Sequence, residues 1–371
     1  MTDTTQTTEL DKFIRQLANK YSLTIENEFL DLEQSEQKQI FSKITEIRND
    51  PKARYVAQNV FIKEESKEVF KKIVDSGLTI LIDDNALPLI KKFYKCELGG
   101  NIVLFNQILS EEGLKGFIER TKKEKEFIGI GAGHLQDICK YITTTSSANC
   151  CIIPSALSTH VYSSKYIHAH KVLNHFGVYK SIRGEIAPVC MLLNDFLEYA
   201  HERIPRLIKC GMSDLFALKT ATIEWQFGPQ YKATTTHKFA VILSNYAIDL
   251  MHEFNETGDL VKFILAQNML NLITEVVGSP PASGTEHLYA NTIEKYYKSK
   301  LFHGELVAAG IMVQMSTANI FPRKQIIDEM KSLQILPNEE YNIKKLEGEI
   351  VDKMKELAET KERFSILSLI R

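Results

Sequence analysis

Apolar and polar positions follow two different patterns along the chain, and the pattern changes near residue 200. From about residue 76, short apolar runs alternate with segments in which apolar residues recur every three or four positions. The runs are LTILID, NIVLF, EFIGIG, NCCIIP and, after a polar interval, APVCMLLND. Apolar runs that alternate with amphipathic helices are typical of a parallel sheet covered by helices on both faces. This half therefore predicts an α/β, Rossmann-like domain, a fold that often binds dinucleotides.

Beyond residue 200, every long segment has helical periodicity. The segments are RLIKCGMSDLFALKTATIEW, HKFAVILSNYAIDLMHEFN, GDLVKFILAQNMLNLITEVV, GELVAAGIMVQMS, KQIIDEMKSL and LEGEIVDKMKELAETKERF. Near the N-terminus, LDKFIRQLANKY and EQKQIFSKITEI also predict helices. We therefore expect a helical extension at residues 1–60, the α/β domain at 61–200 and an all-α domain at 201–371. A chain of 371 residues is long enough for two cores, and we expect a ligand cleft between the two domains.

Charge and cysteine content narrow the class of ligand and the compartment. Lysine plus arginine (45) nearly balances aspartate plus glutamate (47), so no overall field favours nucleic acid or an anionic membrane surface. A small-molecule ligand is expected instead. The polar N-terminus does not resemble a signal peptide, and the apolar runs are much shorter than the roughly 20 residues of a membrane-spanning helix. Six dispersed cysteines without CxxC pairs indicate a cytoplasmic protein with reduced thiols.

A turn that contains glycines joins a predicted strand to a predicted helix in EFIGIGAGHLQDICKY. Gly129, Gly131 and Gly133 would let the backbone approach a pyrophosphate, and the helix N-terminus offers unpaired N–H groups and a partial positive charge. The spacing is GxGxG rather than GxGxxG, so a turn that merely closes the strand-helix joint is an equal alternative. Asp83, at the end of an earlier predicted strand, fits either a ribose-binding acid or a turn acid.

Three residues in the helical half are candidate metal ligands. Asp214, His287 and His303 each lie beside small or turn-forming residues. Two imidazoles and one carboxylate leave a coordination position open, which suits a catalytic divalent ion that polarises a substrate oxygen. Taken singly, each histidine is more often a surface residue or a hydrogen-bonded core residue, and spacing alone leaves that alternative open.

Several stretches occur in the order expected for the iron-containing alcohol dehydrogenase superfamily and resemble, within it, the sn-glycerol-1-phosphate dehydrogenase branch. They are GIGAGHLQDICKY, IIPSALSTHVYSS, APVCMLLND, RLIKCGMSDLFALKTATIEW, GSPPASGTEHL, LFHGELVAAGIMVQM and KERFSIL, with ASGTEH and HGE the most specific. The resemblance covers roughly residues 76–371. It implies a domain that binds NAD or NADP, followed by a helical domain that holds one divalent metal ion, zinc in the first place and iron as the alternative.

The resemblance also implies roles for individual residues. Asp214, His287 and His303 occupy the metal-ligand positions. The positions that bind or support the cofactor are those of the ribose acid Asp83, the pyrophosphate loop Gly131, Ala132 and Gly133, the supporting pair Asp137 and Lys140, and the nicotinamide loop Ser155 and Ser158.

The chain departs from the family pattern in both loops. Ala132 interrupts the glycine run, and its methyl group would crowd a pyrophosphate. His160 and Val161 replace an aspartate and a glycine that the family carries in its substrate loop, which puts the substrate and the reaction in question. We therefore include His160 among the catalytic candidates. His134, at the start of the helix, is a further unusual residue.

The leading hypothesis is a metal-dependent oxidoreductase that transfers hydride between NAD or NADP and a small, phosphorylated alcohol or ketone. Basic residues in or near the substrate loop are candidates for holding the phosphate, with a solvated loop as the alternative: Lys165, His168, His170, Lys171 and Arg183. The competing hypotheses are a sugar-phosphate cyclase resembling dehydroquinate synthase and a non-catalytic descendant of the fold. Asp214 favours the dehydrogenase, since the cyclases usually have glutamate there. We also expect a homo-oligomer.

Overall fold

The computed structural model of the chain describes residues 55–57, 60–63, 66–95, 98, 101–164, 166–168, 182–183, 189–230, 236–297, 299–337, 349–360 and 365–369. These residues fall into two compact units, one within residues 54–211 and one within residues 212–371. The first is an α/β unit, and the second is built from helices. The two helices predicted for the N-terminal extension lie outside the described residues.

The α/β unit contains β1 (Tyr55–Ala57), β2 (Val60–Lys63), β3 (Thr79–Ile82), β4 (Ile102–Leu104), β5 (Glu126–Gly131), β6 (Asn149–Pro154), β7 (Tyr166–Ile167), β8 (Ile182–Arg183) and β9 (Val189–Leu193). Seven of these strands form one sheet in the order β1-β2-β9-β6-β5-β3-β4. Neighbouring strands in it are parallel, apart from the antiparallel pair β1 and β2. The remaining two, β7 and β8, form a short antiparallel ribbon.

Helices cover both faces of this sheet. They are α1 (Ser66–Asp75), α2 (Ala86–Tyr94), α3 (Glu111–Glu124), α4 (Gly133–Ser146) and α5 (Asn194–Arg203). One core cluster buries Phe70, Ile90 and Phe196 of α1, α2 and α5. A second cluster buries Phe117 of α3 and Ile138 of α4. Successive strand residues point to opposite faces, so β3, β5 and β6 each supply apolar side chains to both clusters. This arrangement confirms the predicted α/β fold.

The strand order reverses beside β3. The chain passes from β3 to its neighbour β4 and then returns to β5 on the other side of β3. In open parallel sheets, ligands bind beyond the carboxyl ends of strands where the order reverses in this way. Those ends carry Asp83, directly after β3, and Gly131, the last residue of β5. The topology therefore brings two of the predicted cofactor residues to the same edge of the sheet.

The sequence prediction missed the first two strands. It assigned residues 1–60 to a helical extension, whereas residues 55–57 and 60–63 form β1 and β2. The run VFIK in β2 pairs in parallel with β9, which lies far along the chain. A strand this short gains its stability from the ladder with its neighbour, so its own sequence carries little signal.

The described cysteines are free thiols. Burial raises the pKa of the Cys151 thiol to about 11, and it raises the pKa values of Cys150 and Cys190 as well. These thiols therefore stay protonated at neutral pH, which makes them poor nucleophiles and poor metal ligands.

The helices of the second unit are α6 (Pro205–Phe227), α7 (Lys238–Thr257), α8 (Leu260–Val277), α9 (Thr285–Tyr296), α10 (His303–Thr317), α11 (Arg323–Ser332) and α12 (Glu349–Thr360). The unit boundary, between residues 211 and 212, falls within α6. The predicted all-α region is confirmed. A 3-10 turn at Ile366–Leu369 packs Leu367 against Leu288 of α9 and Met354 of α12. Among the described helices, none has the length and apolar character that a membrane span requires.

Helices α9 and α10 approach each other closely at Gly310. A β-carbon placed on Gly310 would lie 2.3 Å from the backbone oxygen of Glu286 and 2.8 Å from its Cα. Those atoms belong to the backbone and have no rotamer to move into, so the close approach requires glycine. Glu286 directly precedes His287, and His303 begins the helix that contains Gly310. The contact therefore helps to set the spacing of two predicted metal ligands.

Replacement of Gly310 with alanine is expected to destabilise the protein by about 1–3 kcal/mol, because the added methyl group overlaps the backbone of α9. Gly116→Ala is the matched control, since a β-carbon on this glycine, also within a helix, meets nothing within 4 Å. Alanine favours helix over glycine, so the control should gain about 0.5–1 kcal/mol. Urea unfolding measures both free energies, and equal midpoints for the two variants would contradict the close contact.

Candidate metal centre and cofactor loop

Asp214, His287 and His303 come together in the helical unit. Asp214 lies within α6, His287 is the third residue of α9, and His303 is the first residue of α10. One potential ligand atom of each residue lies within 4.8 Å of those of the other two. In the part of the chain that the structure describes, this is the one cluster of three or more such groups. Residues separated by up to 89 positions thus form a single three-residue group.

Both imidazoles turn the same nitrogen towards the carboxylate. Nε2 of His287 lies 3.1 Å from Oδ1 of Asp214, and Nε2 of His303 lies 3.9 Å from the same oxygen. The ring centroids of the two histidines are 5.5 Å apart. Asp214 and His287 are buried, whereas the side chain of His303 is 29% exposed. The group is therefore open to solvent on the side of His303.

Each imidazole also contacts a second carboxylate through its other nitrogen. Nδ1 of His287 lies 2.9 Å from Oε1 of Glu286, and Nδ1 of His303 lies 3.2 Å from Oε2 of Glu294. Glu286 is fully buried, and the side chain of Glu294 is 15% exposed. Each ring is therefore held at both nitrogens by acidic groups.

Carboxylates on both sides of His287 control its charge. Burial lowers the pKa of His287, but its hydrogen bonds to Asp214 and Glu286 and their charges outweigh burial and raise the pKa to about 9. The two carboxylates therefore favour a positive charge at this position, carried either by a proton on the imidazole or by a metal ion bound to it.

These residues fit a divalent metal ion. A tetrahedral zinc ion with bonds of about 2.1 Å has its ligand atoms about 3.4 Å apart, close to the 3.1 and 3.9 Å that separate Oδ1 of Asp214 from the two Nε2 atoms. Two imidazoles and one carboxylate suit zinc and also iron(II). Three protein ligands leave at least one coordination position for a substrate.

A buried carboxylate, Glu224 of α6, ties the start of α9 to other parts of the unit. It accepts hydrogen bonds from the backbone N–H of Thr285 at 2.9 Å, from the Thr285 hydroxyl at 2.8 Å, and from the backbone N–H of Ile366 at 2.9 Å. The side-chain amide of Gln314 on α10 donates a further one. Burial raises the pKa of Glu224, and the nearby Glu286 carboxylate raises it further. Its position therefore fixes the first turn of α9, which carries His287.

Packing alone requires two glycines of the candidate cofactor loop. A β-carbon on Gly129 would lie 2.3 Å from Sγ of Cys139, which packs α4 against the sheet. A β-carbon on Gly131 would lie 2.9 Å from Cβ of Asp83 and 2.9 Å from Cβ of Leu135. The close approach of β5 to α4 therefore explains why both positions are glycine. The contact between Gly131 and Cβ of Asp83 also places Asp83 beside the loop.

The N-terminus of α4 retains the features of an anion site. Its N-cap, Ala132, has an extended backbone and no side-chain cap, and the first turn contains no acidic residue. Ala132 and Gly133 are half-buried, and His134 is exposed. The side chain of Gln136 donates to the backbone oxygen of Gly131 at 2.9 Å. The first N–H groups of the helix, with the positive end of its dipole, therefore lie beside the carboxyl ends of β3 and β5.

Lys140 anchors the loop that follows β6. Its ammonium group lies 2.7 Å from Oδ1 of Asp137 and donates to the backbone oxygens of Val161, at 3.0 Å, and Tyr166. Two of its three N–H donors thus bind backbone oxygens, and the Asp137 carboxylate compensates its charge. Lys140 and Asp137 are both buried. The predicted part of Asp137 and Lys140 in supporting the helix of the pyrophosphate loop stays a prediction.

The loop after β6 places the remaining candidates in the α/β unit. The backbone N–H of Ser155 donates to Gly131 at 3.1 Å, so this serine lies beside the glycine loop. Ser158 and His160 are half-buried, and His160 is the N-cap of the 3-10 turn Val161–Ser163. A β-carbon on Gly133 would lie 3.1 Å from Oγ1 of Thr159, which places the loop against the start of α4. The catalytic part predicted for His160 stays a prediction.

The basic candidates for a phosphate site are only partly described. Lys165, His170 and Lys171 lie outside the described residues. His168 is exposed and stacks on the ring of Tyr166, with centroids 6.2 Å apart. Arg183 lies in β8, paired with Tyr166 of β7. Their predicted part in phosphate binding stays a prediction.

The acidic partners of the candidate ligands were not among the residues predicted from the sequence. Glu286 directly precedes His287, and Glu294 follows it by two helical turns on the same face of α9, a periodicity that the sequence displays. Glu224 has no such signal, because its hydrogen-bond partners lie 61 to 142 positions away along the chain. The place of Glu224 beside the candidate metal centre is therefore evident only in the folded structure.

Comparison of the sequence with known proteins finds relatives that share one name. The chain is 25% identical to the NAD(P)+-linked glycerol-1-phosphate dehydrogenase of Sulfurisphaera tokodaii over 334 residues, which cover 85% of this chain and 91% of the relative. It is 26% identical to that of Staphylothermus marinus over 207 residues, 53% of this chain and 56% of the relative. The second match thus spans little more than half of that relative's length. No protein-family model matches the sequence.

Solved structures show the same fold. The crystal structure of a probable glycerol dehydrogenase from Sinorhizobium meliloti 1021 matches with a TM-score of 0.57 at 14% identity, over 83% of this chain and 90% of that one. An iron-containing alcohol dehydrogenase from Corynebacterium glutamicum matches with a TM-score of 0.52 at 12% identity, over 81% and 88%. The sequence relatives confirm the predicted resemblance to glycerol-1-phosphate dehydrogenases, and the solved structures confirm that the chain has the fold of iron-containing alcohol dehydrogenases.

Lys140→Met is expected to lower the free energy of unfolding by about 3–5 kcal/mol, because it leaves the Asp137 carboxylate buried without its cation. Lys122→Met is the matched control: Lys122 and Glu119 form a pair with the same i,i+3 spacing on α3, but both side chains are exposed. The control should unfold almost like the wild type. Urea unfolding of both variants makes the comparison, and equal losses would show that the buried ion pair does not anchor the loop.

Proposed function

We propose that this chain is a metal-dependent NAD(P)-linked oxidoreductase that transfers hydride between nicotinamide and a small, phosphorylated alcohol or ketone. The observation that carries the proposal is the convergence of Asp214, His287 and His303 in a chain similar to glycerol-1-phosphate dehydrogenases over most of its length. The reaction proposed is the interconversion of a secondary alcohol and its ketone in a substrate resembling glycerol 1-phosphate.

In this proposal, three protein atoms bind the metal ion. Oδ1 of Asp214 and Nε2 of each histidine would hold one divalent ion, zinc in the first place. When bound, that ion supplies a Lewis acid that stabilises negative charge on the substrate oxygen, and nicotinamide supplies or accepts the hydride. The partly exposed side of His303 leaves room for a substrate.

The cofactor site is proposed at the carboxyl ends of β3 and β5. The first N–H groups of α4 would bind the pyrophosphate, with Gly131, Ala132 and Gly133 as the loop beside it. Oδ1 of Asp83 accepts from the backbone N–H of Asn85 at 2.8 Å, and this bond orients the carboxylate whose other oxygen would accept from a ribose hydroxyl.

The nicotinamide end of the cofactor site is assigned to the loop after β6. Ser155 and Ser158 would contact the nicotinamide and its ribose, and Lys140 with Asp137 would hold the loop in place. His160 would face the substrate, where an imidazole selects hydroxyl or phosphate groups through hydrogen bonds.

The substrate test uses dihydroxyacetone phosphate, the ketone that corresponds to glycerol 1-phosphate. Protein loaded with zinc should oxidise NADH or NADPH only when the ketone is present, as followed by the nicotinamide absorbance. A parallel assay for inorganic phosphate distinguishes the cyclase, which releases phosphate without net consumption of the dinucleotide. Failure to turn over either dinucleotide with phosphorylated and unphosphorylated ketones, despite bound metal and cofactor, would contradict the proposal.

Asp214→Asn tests the metal ligands. The neutral amide keeps the side-chain volume but removes the charge that compensates the ion, so metal affinity should fall by about 100-fold or more, beyond the loss caused by an outer partner. Asp328→Asn removes an exposed acid from α11 of the same unit and serves as the control. Zinc binding is measured by competition with a chromophoric chelator. Unchanged affinity in the Asp214 variant would remove Asp214 from the site.

A further inference from the structure

We propose that Glu286 and Glu294 are positioning residues that orient the two imidazole ligands and set the metal affinity of the site. The inference rests on the proposed function, because it assumes that His287 and His303 bind the metal. Both histidines present Nε2 to Asp214 and Nδ1 to a carboxylate, at 2.9 Å for Glu286 and 3.2 Å for Glu294. The same arrangement thus occurs twice in one site.

The carboxylates fix the tautomer that metal binding requires. A neutral imidazole carries one proton, and a carboxylate at Nδ1 holds that proton on Nδ1. Nε2 then has a free lone pair directed at the ligand cluster. Each glutamate therefore selects the tautomer of its histidine that binds a metal. Its negative charge also makes Nε2 of that histidine a stronger electron-pair donor to the metal.

The two glutamates reach their histidines in different ways. Glu286 is the neighbour of His287 in sequence, and its Oε1 also accepts from the backbone N–H of Gly284 at 2.6 Å. Glu294 lies on α9, whereas its partner His303 lies on α10, so this contact links the two helices. One glutamate therefore fixes a ring relative to its own helix, and the other fixes a ring across a helix pair.

The burial of Glu286 also points to a charge function. Among the described residues, its second oxygen, Oε2, has no hydrogen-bond partner although the residue is fully buried. A buried carboxylate with one unpaired oxygen is costly unless a positive charge lies close by. Asp214 alone leaves one positive charge of a divalent ion uncompensated, and Glu286 compensates it through His287.

The difference in burial predicts a ranking. Glu286 is fully buried, whereas the side chains of Glu294 and His303 are 15% and 29% exposed. Charge interactions are stronger where water is excluded. Loss of the Glu286 charge should therefore weaken metal binding more than loss of the Glu294 charge.

The experiment compares Glu286→Gln and Glu294→Gln, which keep the side-chain volume and an oxygen that accepts from Nδ1–H. Glu329→Gln is the matched control, because Glu329 also lies near an imidazole of this unit, that of His252 at 3.5 Å, which is not a proposed ligand. Zinc affinity is measured by chelator competition, and the visible spectrum of the cobalt(II)-loaded protein reports ligand geometry. Thermal unfolding without metal shows whether each variant is folded.

We expect zinc affinity to fall by about 10–100-fold in each of the two variants, with the larger loss for Glu286→Gln, and to stay unchanged in Glu329→Gln. The cobalt spectrum should change in the first two variants only. Wild-type affinity and an unaltered spectrum in the folded Gln variants would overturn the inference and leave the proposed function standing. If the wild-type chain itself binds neither zinc nor cobalt, the proposed function fails, and the inference fails with it.

Discussion

The close contact between α9 and α10 is the constraint on which the candidate metal centre depends. Gly310 lets the backbone of α10 lie directly against Glu286 of α9. His287 follows Glu286, and His303 begins α10, so the distance between the two imidazoles is largely a property of this helix pair. The third candidate ligand, Asp214, lies on another helix, α6. A rigid pair of helices is a more accurate support for ligands than loops would be.

Buried polar groups hold the helix pair in one arrangement. Glu224 binds the first turn of α9, the side chain of Gln314 on α10 and the turn at Ile366, so three separate segments converge on one carboxylate. A carboxylate without these donors would be very costly at this depth, and the backbone N–H groups of Thr285 and Ile366 would lose their bonds without it. The network therefore disfavours other packings of the same apolar faces, which hydrophobic burial alone would tolerate.

Much of the fold was predictable because hydrophobic periodicity is a local signal. The runs of β3, β5 and β6 and the long helices after residue 200 follow it directly. The family resemblance assigned Asp214, His287 and His303 to one site, and the structure brings these three residues together. The strands β1 and β2 were missed because their stability comes from a distant partner. Glu224 was missed for the same reason. Gly129 and Gly131 were found, but the sequence left open whether packing or cofactor approach requires them, and the positions of Cys139 and Leu135 show the packing requirement.

The steric demand at the two glycines around Glu286 has a consequence for molecular evolution. A β-carbon on Gly284 would crowd the carboxylates of Glu224 and Glu286 at 2.7 and 2.8 Å, and one on Gly310 would strike the backbone. Purifying selection for folding alone would retain both glycines in a lineage that no longer carried out any reaction. Conservation of the two glycines among homologues would therefore indicate a requirement of the fold. Conservation of Asp214, His287 and His303 would instead indicate selection for the reaction.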